Sequence, residues 1–350
     1  MTGAPVLAPV LDGIPFLRAG REALAAEALA LQERGDEEGA LVLLLADQDD
    51  WWTGPRAEPA ALRELVRRRD ALSLREAMAL LSWGPVADYF AHRWSDPTFL
   101  AGLALTEAHC PAPATVFELA CGIGHHLRWH AARGARVAGA DVVFAKLWVA
   151  RHWVVPGASL FCLDAAQPWP ELGRFELVAC HDAFYFLEPK APILEKLRAL
   201  GGTLALSHIH NRDWPNLSAG SAMAAAEVAA MFPAAQAYDD AELTRALAEG
   251  RAPVPQPVAA LAGVEAFSLV EGAGPPRAVH GLPAPGTPLR RNPLYGADGA
   301  LAWPSPRYER EYGPRATYPP RSDAPARAAL APATEAQARR RELLDLPERW

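Results

Sequence analysis

From Arg21 to Leu103 the apolar residues recur at helical spacing. Leu24, Ala28 and Leu31 fall on one face, and Ser73 with Glu76 forms a capping box ahead of Ala77, Met78 and Leu81. The pattern predicts a helical N-terminal subdomain over 1–103. From Thr115 to His210 the period changes, and short β-branched or apolar runs alternate with amphipathic stretches, as in parallel strands joined by crossover helices. Strands are predicted at 115–119, 136–140, 159–163, 177–181 and 202–207, and five in series imply a right-handed wound sheet. Beyond Asn211 the regularity weakens, leaving helices expected over 219–231 and 239–250 and a further strand over 264–270. The α/β unit is therefore expected to span 104–272. A Pro-rich C-terminal extension follows over 273–350, where Trp303, Tyr308, Tyr312 and Tyr318 supply apolar anchors that predict wrapping onto the domain. Its last stretch, 334–344, reads as a polar helix.

Composition narrows the class. A chain of 350 residues, 51% of them hydrophobic, is long enough for a substantial core. The first twenty residues carry no basic region and are interrupted by Asp12, so no secretory leader is expected, and no run approaches the roughly 18 apolar residues of a membrane span. The four cysteines, Cys110, Cys121, Cys162 and Cys180, show no CxxC spacing, which points to reduced thiols and a cytoplasmic protein. A formal net charge of -7 would be repelled by a phosphate backbone, so a nucleic-acid partner is not expected. The Arg-dense run from Arg63 to Arg69 has Leu62, Leu65 and Val66 at helical spacing and reads as a solvated helix face. Neither a membrane nor a particular oligomeric state is indicated.

The segment VFELACGIGHH carries the most chemistry. A strand ends at Glu118, a tight turn contains Gly122 and Gly124, and a helix opens after it. Glycine there permits positive φ and close approach of the backbone to a ligand, while the free N–H groups of a helix start offer donors. A lone GxG is a weak signal, so its neighbours decide. Asp141 closes the second strand, 19 residues after Gly122, as an acid that accepts from both hydroxyls of an adenosine ribose. Asp164 stands at the end of the third and is placed for the adenine edge. The fourth strand releases His181, Asp182, Ala183 and Phe184 at the same sheet edge. In an open parallel sheet that edge is where ligands bind.

These residues resemble the class I S-adenosylmethionine (SAM)-dependent methyltransferases, whose first motif has the form acidic-x-G/A-x-G-x-G; Glu118, Ala120, Gly122 and Gly124 occupy it. The resemblance covers about a third of the chain, from Ala112 to Asn211. It implies a Rossmann-like fold, a turn that holds the methionine part of SAM, Asp141 on the ribose, and Asp164 with Ala165 at the adenine. His181 then stands beside the methionine moiety. It further implies transfer of a methyl group to an oxygen or nitrogen of a small molecule (EC 2.1.1.-). A nicotinamide oxidoreductase would need Gly or Ala where Leu127 stands. A nucleic-acid methyltransferase acting on base amino groups would carry an Asn/Asp-Pro-Pro-aromatic motif in place of His181 to Phe184. A non-catalytic SAM-binding or interaction protein is the remaining alternative.

If the acceptor starts protonated, a base is needed, and the candidates are His181, Asp182, His208 and His210 at the ends of the fourth and fifth strands. Histidine suits the task because its ordinary pKa of about 6.5 lets it accept a proton near neutrality. His181 is favoured, with Tyr185 one helical turn later as an orienting hydroxyl. His208 and His210 are two apart on a strand and could join Asp182 around a divalent ion, but histidines at strand ends are more often hydrogen-bonding residues, and no metal is expected. His125, His126 and His130 are read as helix-start and surface residues. Upstream, Tyr89, Arg93 and Trp94 are placed to close over the cofactor.

Overall fold

The computed structural model describes residues 8–215 and 220–350. Residues 1–7, which open the segment read for a leader, and Ala219, where one helix was expected to begin, lie outside the described residues. In chain order the first elements are β1 (Val10–Leu11), β2 (Ile14–Leu17), α1 (Glu22–Glu33), α2 (Glu37–Leu45), α3 (Pro59–Arg68), α4 (Leu74–Leu80), α5 (Pro85–His92) and α6 (Pro97–His109). The middle of the chain follows as β3 (Thr115–Leu119), α7 (His125–Ala131), β4 (Arg136–Asp141), α8 (Phe144–Val149), β5 (Ser159–Leu163), β6 (Leu177–His181), α9 (Lys190–Ala199) and β7 (Thr203–His210). Then come α10 (Ala225–Met231), β8 (Gln236–Asp239), α11 (Asp240–Glu249) and β9 (Ala266–Glu271). The last elements are β10 (Pro288–Arg291), α12 (Pro306–Tyr312), β11 (Arg327–Ala329), α13 (Glu335–Arg339) and β12 (Leu343–Leu344).

Among the described residues one nine-stranded sheet runs in the order β1-β2-β5-β4-β3-β6-β7-β9-β8. From β2 to β7 every neighbouring pair is parallel, β9 is antiparallel to β7, and β8 is antiparallel to β9. The apolar runs of β6 (LVACH) and β7 (LALSHIH) reflect cover on both faces. One core gathers Phe144, Trp148, Leu100 and Leu103; the other gathers Phe184, Ile193, Leu197 and Phe232. This is the doubly wound, Rossmann-like arrangement.

Helix α6 is apolar nearly all round because it lies between the sheet and α11. Gly102 sets how closely it approaches. A Cβ there would come within 2.8 Å of Ser207 Oγ and 2.9 Å of both His126 Cε1 and His181 Nδ1, so any side chain would push the helix off the site.

Several local readings hold. Ser73 and Glu76 form the capping box of α4 through reciprocal bonds of 3.2 and 2.8 Å. Leu62, Leu65 and Val66 are buried beneath α3 while Arg67 reaches Glu38 at 2.7 Å on its exposed side. All four cysteines are free thiols. Others need correction. The N-terminal segment is not helical from its outset, since β2 pairs with β5, Phe16 opposite Cys162, and extends the sheet. β8 stands just ahead of the expected helix, and 334–344 breaks into α13 and β12 because β12 pairs with β10. Arg349 donates to the carbonyls of Leu72 (3.0 Å) and His152 (2.6 Å), and the indole N–H of Trp350 donates to Ala91 O at 2.8 Å. The end of the Pro-rich extension is thereby packed onto the helices.

Candidate active site

The turn after β3 is wound through left-handed backbone. Ala120, Gly122 and Gly124 have φ of 56°, 55° and 84°, and Gly124 is the N-cap of α7. Asp141 at the end of β4 ties this turn to its neighbour, accepting from Gly122 N–H at 3.0 Å and Val143 N–H at 2.9 Å, with Lys146 Nζ 3.7 Å away. Glu118 is 3% exposed, and its Oε2 has no hydrogen-bond partner. Burial pushes its carboxyl up to about 8, with the Arg93 guanidinium pulling in the other direction. At the end of β5, Asp164 accepts from Ala166 N–H at 2.8 Å. Lys196 Nζ clamps the same loop by donating to the carbonyls of Ala165 (2.9 Å), Ala166 (3.1 Å) and Gln167 (2.7 Å).

These groups border a cavity of about 780 Å³ at the carboxyl ends of β3 to β7. It lies where the chain, having run outward through β4 and β5, returns to add β6 on the other side of β3, the place where open α/β sheets bind ligands. Glu118, Ala120, Gly122, Asp141, Asp164, Ala165, His181, Asp182, His208 and His210 all line it. Gly124 sits behind the wall, against Val155 and Ala150.

Opposite the turn, Asp182 gathers three donors. Tyr89 and Tyr185 hydroxyls bond it at 2.9 Å each and Arg93 Nη1 at 3.0 Å. Burial alone would raise its pKa, but His208 and Arg93 hold the carboxylate down at about 2. His208 Nδ1 lies 2.6 Å from Asp240 Oδ2, and Asp240 Oδ1 accepts from Ser268 Oγ at 2.6 Å. The other nitrogen, Nε2, is 3.9 Å from Asp182 Oδ1. Burial works against the charged imidazolium of His208, and the Asp182 and Asp240 carboxylates outweigh it and raise its pKa. His210 stacks on Tyr185 with ring centroids 3.8 Å apart.

His181 faces elsewhere. Its Nδ1 is 2.7 Å from Ser207 Oγ, its ring lies 3.9 Å from that of His126, and burial lowers its pKa to about 3. The expected orienting bond from Tyr185 goes to Asp182 instead. Of the upstream trio, Tyr89 and Arg93 reach the site, whereas Trp94 packs on His125 with centroids 4.3 Å apart. The surface reading of His125, His126 and His130 is overturned, since all three are under 5% exposed. Burial lowers His125 to about 3 and His130 to about 4, because α7 packs its first turn beneath α5 and α6. Sequence reasoning missed Asp240, which follows the N-cap Asp239 of α11 and has no local feature that sets it apart from an ordinary helix-start acid. It also missed Tyr308 and Tyr312 of α12 as cavity walls, although their aromatic character had marked them as anchors.

The sheet order, the antiparallel β9 and the glycine turn after the central strand together define a Rossmann-like fold of the methyltransferase type. No family model and no curated protein matches the chain. Among solved structures it is similar to a plantazolicin methyltransferase in complex with a desmethylplantazolicin analogue and SAH, at 18% identity, a TM-score of 0.32, and 43% of this chain against 61% of that one. A putative methyltransferase from Bacillus halodurans gives 24% identity, a TM-score of 0.29, and 32% against 52%. A TehB-like SAM-dependent methyltransferase from Corynebacterium glutamicum gives 18% identity, a TM-score of 0.34, and 50% against 88%. The chain thus spans less than two thirds of the first two.

Proposed function

We propose that this protein is a SAM-dependent methyltransferase acting on an oxygen or nitrogen of a small molecule. The observation that carries the reading is the Asp141 to Gly122 bond at the switch point of the sheet, which sets a carboxylate and a positive-φ turn side by side on the wall of a 780 Å³ cavity. The residues present fit the cofactor. Glu118 offers a buried carboxyl oxygen without a partner to a cationic ligand, and Gly122 leaves open a cradle that a Cβ would fill at 3.2 Å from Phe90. In this reading Glu118, Ala120, Gly122 and Gly124 shape the methionine pocket with His181 beside it, Asp141 accepts from the ribose, and Asp164 and Ala165 meet the adenine.

Bound SAM supplies an electrophilic methyl group. The chain's own contribution is position and exclusion of water. Tyr89, Arg93 and Tyr185 hold Asp182 as a fixed anion, and Asp182, His208 and His210 form the wall that faces the acceptor. A proton leaving the acceptor is taken up there. Against the sequence preference for His181, the geometry favours His208, whose Nδ1 is oriented by Asp240 and whose Nε2 points toward Asp182.

Titration calorimetry of the full chain with S-adenosylhomocysteine and, separately, NAD tests the reading: binding of the first alone is expected. Absence of S-adenosylhomocysteine binding by folded protein overturns it. Methyl transfer to a library of small hydroxyl and amine compounds then separates an enzyme from a SAM-binding protein that turns nothing over.

A further inference from the structure

Asp182, His208 and His210 present three ligand atoms within 4.8 Å of one another, the one such group found among the described residues. The backbone is specially shaped to bring them together. The pairing of β7 with β9 shifts register between Leu206 and Ile209, and both Asp182 (φ 52°) and His208 (φ 56°) adopt left-handed backbone, uncommon for residues with a side chain. The two imidazoles, from residues about 6.6 Å apart on a regular strand, end with their ring centroids 4.9 Å apart.

Two further observations concern what belongs between them. Asp240 lies 2.6 Å behind His208 Nδ1, and a carboxylate in that position fixes the tautomer whose other nitrogen offers its lone pair, the support that metal-ligating histidines have. Charge is the other. Asp96 and Asp182 flank the Arg93 guanidinium at 3.6 and 3.0 Å, and Asp240, also buried, stands on the other side of His208. With His208 neutral, as a metal ligand must be, the carboxylates of Asp182 and Asp240 face each other across it with Arg93 as their cation; Arg315, the next cation toward His208, pairs with Glu265 at 3.0 Å. A divalent cation balances the cluster.

We propose that Asp182, His208 and His210 bind a divalent transition metal through one carboxylate oxygen and two imidazole nitrogens. Asp182 contributes Oδ1, which accepts one hydrogen bond, from the Tyr185 hydroxyl at 2.9 Å, and keeps a second lone pair, whereas Oδ2 is engaged by both Arg93 and Tyr89. Two nitrogens and one oxygen suit iron(II), cobalt, nickel, zinc or manganese better than magnesium or calcium, and three protein ligands leave positions open to the cavity. An oxygen of the acceptor can fill one of them and lose its proton to solvent more readily once bound. That role rests on the methyltransferase reading; the site does not. With metal bound, His208 is a ligand and no longer the proton acceptor.

The test is a titration of chelator-stripped full chain with cobalt(II), followed by visible absorption and calorimetry, beside the titration with S-adenosylhomocysteine. A single equivalent with d–d bands is expected, lost in His208→Ala and in His210→Ala, and weakened 10- to 100-fold in Asp240→Asn. Circular dichroism and melting establish that each variant is folded. Wild-type protein that binds no cobalt at millimolar concentration overturns the proposal without recourse to any variant. So does cobalt binding that survives both histidine substitutions. Cobalt binding without S-adenosylhomocysteine binding would keep the site and remove the methyltransferase reading, and the reverse would do the opposite.

Discussion

Arg93 Nη1 meets Asp182 Oδ2 at 3.0 Å, joining the end of α5 to the loop after β6 across 89 residues of sequence. Both side chains are under 10% exposed, so neither charge is left to water. The helices ahead of the sheet thereby supply part of the wall of the cavity.

Removing one partner of that pair should be costly. Arg93→Met leaves the Asp182 carboxylate buried without its cation and is expected to lose about 3–5 kcal/mol of stability in urea denaturation, whereas Arg93→Met combined with Asp182→Leu should recover much of the loss. A double-variant loss equal to the sum of the losses in Arg93→Met and in Asp182→Leu alone would show that the pair is not coupled.

Glu118 gives the protein a pH signature. Its carboxyl ordinarily titrates near 4.5 and is raised to about 8 in the fold, so below 4.5 it is protonated whether the chain is folded or not. As pH rises through that window the unfolded chain ionises first, and stability falls at up to about 1.4 kcal/mol per unit from this group. Glu118→Gln should flatten that part of the stability profile. In the wild type, a cationic ligand beside Glu118 should drive its proton off, so that the heat of S-adenosylhomocysteine binding at pH 7 changes with the ionisation enthalpy of the buffer. Heats independent of buffer would place the cation elsewhere.

Asp141 holds the turn through Gly122 N–H and is the proposed ribose acceptor. Asp141→Ala should weaken S-adenosylhomocysteine binding by about 1–3 kcal/mol, since the hydroxyls lose a charged acceptor and Gly122 N–H loses its partner. Unchanged affinity in a folded variant would remove Asp141 from the cofactor site.

Two substitutions in the turn should move in opposite directions. Ala120 holds φ at 56°, which costs a residue with a Cβ about 1–2 kcal/mol. Ala120→Gly relieves that and gives back about 0.4–1 kcal/mol through the freer unfolded chain, for a net effect near zero or stabilising. Gly122→Ala gains the same strain and sets a Cβ 3.2 Å from Phe90, so its melting temperature should drop. A Gly122→Ala protein as stable as wild type would mean that the turn relaxes.

What was legible from residues alone follows the strength of the local signal. Strands β3, β5 and β6 run as the alternation placed them, because a strand covered on both faces is a short apolar run bounded by turn residues. β1, β2 and β8 have two to four residues each and are strands only because a neighbour offers an edge. No periodicity marks such elements. The turn residues Glu118 to Gly124 and the carboxylates at strand ends could be read because sequence spacing determines their placement. The pairing of His208 with Asp240 could not: it depends on a bulge and on a helix 30 residues further along, where Asp239 and Asp240 both look like cap residues. The burial of His126 was likewise hidden, since it follows from Gly102 on another helix.

The packing of Tyr308 and Tyr312 over the cavity has a consequence for synthesis of the chain. From His210, the end of β7, to Tyr308 there are 98 residues, which a ribosome adding roughly 5–20 residues per second needs on the order of 5 to 20 seconds to make. For that interval the parallel strands and Arg93 have emerged while α12 has not, and the nascent sheet carries a polar pocket open on one side.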